Sequence, residues 1–535
     1  GRAPQVAAQT PSGGFSDVPG TATILGALKL SGKTSGGTSL GLVASVTDQA
    51  DAETMTGAGV RGSQAVEPRS LYIVGRLSKD IRQGRSGFGA LATAMNRDVS
   101  DPSFSKLRSS AFSGGFDAFH RFGGDRFEVK SWAFASDVRG TTDALIATQR
   151  SSVHFFQRPD ADGYDVDSTR TSLAGAAGEF LVSRIGRSRL TWSAGGGFRT
   201  PGFEVNDVGF VSYTDIWYNS VQARYRETQP THLVRDWWVD GSVVVARTFG
   251  GQLARPSANL QTRTQFRNFW TVSTNTDRWN SHLWPWELRG GPALRRSGYT
   301  NVNSTLSSDS RRSWRVGAHG RVQLSDELGG LLIVVDPSMT FRPTSRTTVT
   351  LTPLWTKNRA PAQYVAAATS TMGTREYVVG LLDQTTVSMT GRLSLALSPL
   401  MTLEVYAQPF LSAGSYSAFR RVADPHGHAI DARYPRIAGS ALTYSEVTER
   451  YTADLNGDKS AVISFANPDF NVRSLRTNTV LRWEFRPGST AYLVWAQTRD
   501  DDVLRSFDTV DDAAYLFRAP AKNVIMVKIA YWIDR

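Results

Sequence analysis

Apolar and polar residues alternate along segments of about ten to fifteen residues throughout the chain. In the last segment, Asn523 to Ile533, one set of alternate positions holds Ile525, Val527 and Ile529, and the other holds Lys528. Because successive side chains of a strand point to opposite faces, this alternation predicts β-strands with one apolar and one polar face. Strands of a soluble sandwich usually have ~5–6 residues, whereas strands that cross an outer membrane have ~9–11. The pattern therefore favours membrane-crossing strands.

Charged side chains recur on the polar face of these predicted strands. A transmembrane β-barrel turns such residues toward its lumen and apolar residues toward lipid. The candidates for lining the lumen are Arg76, Arg126, Glu128, Lys130, Arg321, Arg392, Arg482, Glu484, Arg486 and Lys528. Two interpretations stay open, because these charges could make an aqueous pore selective for anions or could pair into ladders that stiffen a barrel without transport.

Aromatic residues stand near the ends of many predicted strands. Outer-membrane barrels carry aromatic girdles at both lipid–water interfaces. The girdle candidates are Trp132, Trp217, Trp237, Trp270, Trp314, Trp355, Trp495 and Trp532. Ordinary packing in a core is the alternative interpretation for each of them.

Short turns and long loops join the predicted strands. Phe122 to Asp125 and Arg486 to Ser489 are short connections, whereas Val138 to Thr169 and Ser415 to Val472 are long. Long loops on one side only are typical of an outer-membrane barrel, and the segment count predicts about 18–20 strands. Segment Thr141 to Arg158 is amphipathic and is predicted to fold into the lumen as a plug. The predicted fold is all-β, a large antiparallel transmembrane β-barrel.

Composition narrows the class of protein. The chain has 535 residues, 60 basic against 48 acidic side chains, a net charge of +12 and no cysteine. Without cysteine there is no disulfide scaffold and no Cys-ligated zinc or iron–sulfur cluster. The basic residues are scattered along the chain, so we expect no nucleic-acid partner. Residues 1–20 are predicted to be a polar extension or linker, and residues 21–535 a single barrel domain.

Few residues of the sequence suggest a metal-binding or catalytic site. Four aspartates are weak candidates for a metal site, in two acidic loops: Asp160, Asp162, Asp454 and Asp458. The second loop lacks the closing glutamate of a calcium-binding loop. Ser39 lies in a Gly-x-Ser-x-Gly match, but a nucleophile elbow requires a following helix and residues 42–47 are predicted to be a strand. We therefore expect no catalytic residues and no cofactor.

Several short motifs, in their order along the chain, resemble a known bacterial family of unknown function. The motifs are Gly26-Ala-Leu-Lys-Leu-Ser-Gly32, Val74-Gly-Arg76 with Asn96-Arg-Asp98, Asn206-Asp-Val-Gly209, Arg289-Gly-Gly-Pro292, Tyr406-Ala-Gln-Pro-Phe410 and the segment from Val480 to Trp495. The resemblance extends over residues 20–533 and is to the C-terminal barrel of this family. Longer members carry an N-terminal carbohydrate-binding domain of the xylanase type, which the resemblance places outside this sequence. It implies an outer-membrane β-barrel and no known activity.

These observations together predict a bacterial outer-membrane protein that is not an enzyme. It would act as a porin-like channel, as an uptake component, or as the anchor of a surface or periplasmic binding module linked to carbohydrate handling. Its expected partners are outer-membrane lipid and an upstream carbohydrate-binding domain or other envelope proteins. A barrel hydrolase and a soluble β-rich carbohydrate-binding protein are the alternatives.

Overall fold

The computed structural model describes residues 2–437 and 439–532. It confirms the all-β prediction, with 61% of residues in strands and 6% in helices. Residues cluster into two compact units, of which unit 1 comprises 1–224, 242–256 and 282–294, and unit 2 comprises 225–241, 257–281 and 295–535. No helix in the described part of the chain is long and apolar enough to cross a bilayer.

The long strands are β2 (Ile24–Lys33), β3 (Thr38–Thr47), β6 (Ser70–Ile81), β7 (Ser86–Arg97), β8 (Ser110–Phe122), β9 (Phe127–Arg139), β10 (Ser172–Arg184), β11 (Leu190–Arg199), β12 (Ile216–Glu227), β13 (Val234–Arg247), β14 (Leu253–Phe266), β15 (Thr271–Trp279), β18 (Tyr299–Ser307), β19 (Trp314–Ser325), β20 (Leu331–Thr344), β21 (Thr347–Thr369), β22 (Arg375–Ser398), β23 (Met401–Arg421), β27 (Phe470–Arg486), β28 (Ser489–Asp501) and β29 (Ala521–Ala530). The short strands are β1 (Phe15–Asp17), β4 (Ala50–Met55), β5 (Arg61–Glu67), β16 (His282–Trp284), β17 (Leu294–Arg296), β24 (Leu442–Ser445), β25 (Arg450–Asp454) and β26 (Val462–Ala466). The helices are α1 (Thr142–Gln149), α2 (Ile430–Arg433) and α3 (Thr509–Arg518), with 3₁₀ turns at Arg82–Gly84, Pro102–Phe104 and Gly439–Ala441.

Antiparallel pairing of neighbours in the chain builds a large sheet in each unit. In unit 1 the pairing runs from β2 through β3, β6, β7, β8, β9 and β10 to β11. In unit 2 it runs from β15 through β18 to β23 and then through β27 and β28 to β29. Twenty-one long strands are described, slightly more than the 18–20 predicted. β21 and β22 are single strands of 23 and 24 residues.

The pairing register confirms the predicted division of the strands into two faces. In unit 2, Val335, Trp355, Val387 and Leu411 form one row across four strands. Many large apolar side chains on the apolar face of each unit are exposed; they include Leu77, Phe88, Phe116, Phe180, Val322, Leu324, Trp483, Leu493 and Val527. Leu411 is buried, because it packs with Leu475 and Leu516. The apolar face is therefore an outer surface of the protein. Charged and hydroxyl side chains predominate on the opposite face.

The N-terminal segment pairs with the first long loop. β1 pairs with β4, and β4 pairs with β5, so that a three-stranded sheet joins residues 15–17 to the first long loop. The amide of Gln5 donates a hydrogen bond to Glu67 at 2.9 Å. Of the predicted final segment, Ile533 lies outside the described residues, as do Asp534 and Arg535.

Candidate functional site

Segment Thr141 to Arg158, predicted to be a plug, lies against the polar face of unit 1 at the long-loop end of the strands. Thr141 starts α1 by accepting a hydrogen bond from the amide of Ala144, as an N-cap residue does. Five residues in register, one from each of β6 to β10, meet this segment. They are Tyr72, Met95, Ala111, Val138 and Leu173. Ala144, Leu145 and Phe156 pack on this row and bury it.

One face of α1 is buried although it carries two polar residues, Thr148 and Gln149. Thr148 Oγ1 donates to the carbonyl of Ala144 at 2.8 Å, as a helical threonine can do within its own turn. The Gln149 amide exchanges two hydrogen bonds with the backbone of Asp167, at 2.8 and 2.9 Å. These bonds satisfy the buried polar groups and tie α1 to the rest of its loop.

A buried ionic cluster joins two connections at this end of unit 1; we name it the loop lock, and it consists of Arg97, Arg108, Glu204 and Asp207. Arg97 Nη1 lies 2.8 Å from Asp207 Oδ1, and both side chains are 1% exposed. Arg108 bridges the two acids, with Nη1 3.1 Å from Glu204 and Nε 2.9 Å from Asp207. Two guanidinium groups thus face two carboxylates, so the charges of the loop lock balance.

His154, from the predicted plug, completes the contacts of the loop lock. Its Nε2 lies 3.1 Å from Glu204 Oε2, and its Nδ1 lies 2.8 Å from the carbonyl oxygen of Pro201. The hydroxyl of Thr214 donates to the same carbonyl oxygen at 3.0 Å. Burial opposes the charge of Glu204, but the hydrogen bond with His154 and the charge of Arg108 lower its pKa to about 2. Glu204 is therefore a carboxylate at any physiological pH.

A second buried group lies in the same loops. Arg158 Nη2 lies 3.4 Å from Asp215 Oδ2, which also accepts a short hydrogen bond from the hydroxyl of Tyr164. Burial is the largest cause that raises the pKa of Asp215, and burial also raises the pKa of Tyr164. The amide of Phe249 donates to the other oxygen of Asp215 at 3.0 Å.

Gly175 lets the loop that carries Glu204 approach the sheet. A Cβ at this position would lie 2.2 Å from the backbone nitrogen of Phe203, which is much closer than atoms can pack. The loop therefore runs directly over the strand at a residue without a side chain.

Six of the predicted lumen-lining residues lie on the polar face in pairs or rows. Arg76 lies 2.9 Å from Asp117, and Glu128 binds both Arg121 at 2.8 Å and Lys130 at 2.7 Å. Arg482 pairs with Glu484 at 3.0 Å, and Lys528 lies two strands away in the same row as Arg482. These pairs agree with the second interpretation, in which the charges pair along the sheet.

Two further lumen candidates on the polar face contact uncharged groups. Arg321 donates to Asn301 at 2.7 Å and to Gln323 at 2.8 Å. The guanidinium of Arg392 lies 5.0 Å from the ring centre of Tyr406, on the wall of an open cavity of about 530 Å³.

Arg126 and Arg486 lie outside the regular alternation that defines the polar face, so they leave the predicted lumen-lining set. Arg126 lies in the tight turn before β9, and its Nε donates to the carbonyl of Gly123 at 2.7 Å. A register shift at the end of β27 separates Arg486 from Glu484. The guanidinium of Arg486 binds the hydroxyl of Tyr531. The two-residue alternation does not extend into the turn that holds Arg126 or past the register shift before Arg486, so the pattern assigned both residues wrongly.

Six of the girdle candidates are exposed: Trp217, Trp237, Trp314, Trp355, Trp495 and Trp532. Trp270 is half-buried in the turn between β14 and β15. Trp132 has to be removed from the set, because the register places it on the polar face between Asp117 and Glu179.

The weak metal candidates do not converge. Among residues 2–437 and 439–532, no group of three metal-ligating side chains is close enough to hold an ion. Asp160 accepts from the amide of Ala293 at 2.7 Å, and Asp454 accepts from the amides of Gly457 and Lys459. Asp458 binds the amide of Ser460 at 2.9 Å, and Asp162 packs against Gly250. These aspartates shape their loops instead.

Sequence reasoning missed the loop lock. Its arginines and acids are separated by about a hundred residues, and no motif spacing links them. The one signal was Asn206-Asp-Val-Gly209, which the resemblance singled out and which contains Asp207.

Comparisons with known proteins identify a family and no activity. No curated protein matches the chain. One family model, described as a domain of unknown function (DUF5916), matches residues 164–535 and so includes Glu204 and Asp207 of the loop lock. Because this match covers more than half of the sequence, the chain belongs to the DUF5916 family.

Proposed function

We propose that the strands close into one transmembrane β-barrel in a bacterial outer membrane. The observation that carries the proposal is the segregation of the two strand faces. An exposed face of large apolar side chains is unfavourable in water but matches the lipid-facing surface of a barrel. The opposite face carries ion pairs such as Arg76 with Asp117, which suits an aqueous interior.

The proposed role is that of a channel or uptake component, or of an anchor for a binding module, with no catalytic step. The packing of α1 and its loop on the polar face supports a plugged barrel. A plug held by the loop lock would keep the resting conductance small. A link to carbohydrate handling is implied by the family resemblance alone and remains a prediction.

Neighbouring residues on opposite faces of β19 provide the test of the membrane assignment. The chain has no cysteine, so that single cysteines can be introduced without a background signal. Val322→Cys lies on the exposed apolar face, and Gln323→Cys lies on the polar face. The outer-membrane vesicles are made permeable so that the reagent reaches both sides of the membrane. A charged maleimide should then label Gln323→Cys and leave Val322→Cys unlabelled.

Equal labelling of the two variants, or release of the protein without detergent, would contradict a membrane barrel. Slower migration after boiling than before boiling in a detergent gel is the expected behaviour of a folded barrel. In planar bilayers, Asp207→Asn should raise the conductance if the loops are a plug. An unchanged small conductance would favour an anchor over a gated channel.

A further inference from the structure

A cluster of arginines surrounds one aromatic ring at the tight-turn end of unit 2. Phe269, in the turn between β14 and β15, lies between Arg235 of β13 and Arg311 of the turn before β19. The guanidinium carbons lie 4.1 Å and 3.3 Å from the ring centre. Phe269 has a φ of 66°, which is unusual for an aromatic residue and shows that the turn is held in a defined conformation. We name these three residues, together with Arg312, the arginine clamp.

The positive charge of the arginine clamp exceeds the negative charge beside it. Asp309 contacts Arg311 at 2.7 Å and Arg312 at 4.0 Å, and Arg312 is 80% exposed. The hydrogen bond with Arg311 lowers the pKa of Asp309 to about 2, so this carboxylate is ionised and neutralises one of the three arginines. The excess fits an anionic ligand.

The arginine clamp lies at the border of the apolar face. Arg235 is two residues from Trp237, which is exposed and packs on Tyr225 with ring centres 5.6 Å apart. Trp314, at the start of β19, is exposed and stacks on Phe341 with ring centres 3.8 Å apart. Arginine beside tryptophan at the end of an apolar band is the composition that contacts lipid headgroups.

We infer that the arginine clamp binds the phosphate of an anionic phospholipid. Guanidinium groups bind phosphate oxygens bidentately, and stacking on Phe269 holds two of them in place before the ligand arrives. This inference rests on the proposed membrane barrel. Tight turns of such barrels face the periplasm, so the expected ligand is a phospholipid of the periplasmic leaflet.

The test measures lipid binding to the detergent-purified, folded protein by native mass spectrometry. The probes are phosphatidylglycerol and, for comparison, phosphatidylcholine and lipid A. The wild type should retain phosphatidylglycerol in preference to phosphatidylcholine. The double variant Arg235→Ala/Arg311→Ala should bind it about thirtyfold more weakly, on the scale of interfacial arginines. Phe269→Ala should weaken binding too, because the guanidinium groups lose their support.

The matched control is Arg82→Ala/Arg85→Ala, which removes two arginines from another tight turn without a ring between them. It should leave phosphatidylglycerol binding unchanged, and equal weakening by both double variants would overturn a specific site. Preference for lipid A would overturn the assignment to the periplasmic leaflet. Heat-modifiable migration of each variant is recorded in parallel. A barrel that migrates normally but does not bind phosphatidylglycerol refutes this inference alone, whereas a wild type soluble without detergent refutes the proposed function.

Discussion

Asp207 is the residue at which the loop lock can be opened with least change of shape. Asp207→Asn removes the charge that faces Arg97 at 2.8 Å and Arg108 at 2.9 Å. At an effective dielectric constant of ~20, one such contact is a Coulomb attraction of ~6 kcal/mol, which the desolvation of both groups largely offsets. Removing one partner of a buried pair typically costs ~3–5 kcal/mol, because the other charge stays buried and unpaired. We expect the upper part of this range, since two guanidinium groups lose a partner.

The expected effect is local opening of the loop and not unfolding of the sheet. A change of ~3–5 kcal/mol raises the population of the open loop about 10²- to 10⁴-fold. Hydrogen exchange of individual amides measures this population. The amide of Glu204 donates to Ser136 at 3.0 Å, and the amides of Val208 and Gly209 donate to Val205. These three amides should lose protection, whereas strand amides of β9 should keep theirs.

Asp137→Asn is the matched control, because Asp137 pairs with Arg139 at 2.7 Å on the surface of the same unit. With side chains 62% and 30% exposed, this pair should contribute less than ~1 kcal/mol. Equal protection of the loop amides in Asp207→Asn and Asp137→Asn would refute the role assigned to the loop lock.

Three further outcomes follow from the structure. The pKa of Glu204 is lowered from 4.5 to about 2, so its carboxylate stabilises the loop above pH 4.5 and this contribution is lost as pH falls toward 2. Hydrogen exchange of the loop amides, corrected for intrinsic rates, should show this loss of protection in the wild type and not in Glu204→Gln. Gly175→Val should displace the loop and expose Phe203 to chymotrypsin, whereas unchanged resistance would contradict the close approach. Val527→Arg should destabilise folding into vesicles by ~2–4 kcal/mol in urea titrations, and Lys528→Arg on the opposite face should not.

The strands could be predicted from the sequence because their signal is local. Alternation along a strand such as β19 requires only the residues of that strand, and the register of the sheet agrees with it. The same rule failed at Arg126 and Arg486, where a turn and a register shift end the two-residue period. Trp132 shows a different error, since its position near a strand end did not decide which face it occupies.

The loop lock could not be predicted, because it depends on contacts between distant connections. Arg97 ends one strand, Arg108 precedes the next, and Glu204 and Asp207 lie in a loop about a hundred residues later. Loop conformation has no periodicity that would bring these four residues together. The amphipathic segment around His154 was recognised, but its partners were not.

The length of β21, β22 and β23 determines how far these strands would extend beyond the membrane. At ~3.3 Å per residue, strands of 23, 24 and 21 residues are far longer than a lipid-facing band of ~25 Å requires, even when they are tilted. The ion pair of Lys357 with Asp383 lies near the middle of β21 and in the half of β22 that is farther from the tight turn. In the proposed orientation, the ends of these strands that are farther from the tight turns would extend beyond the lipid. Antibodies, phages and secreted proteases would then have access to these strand ends.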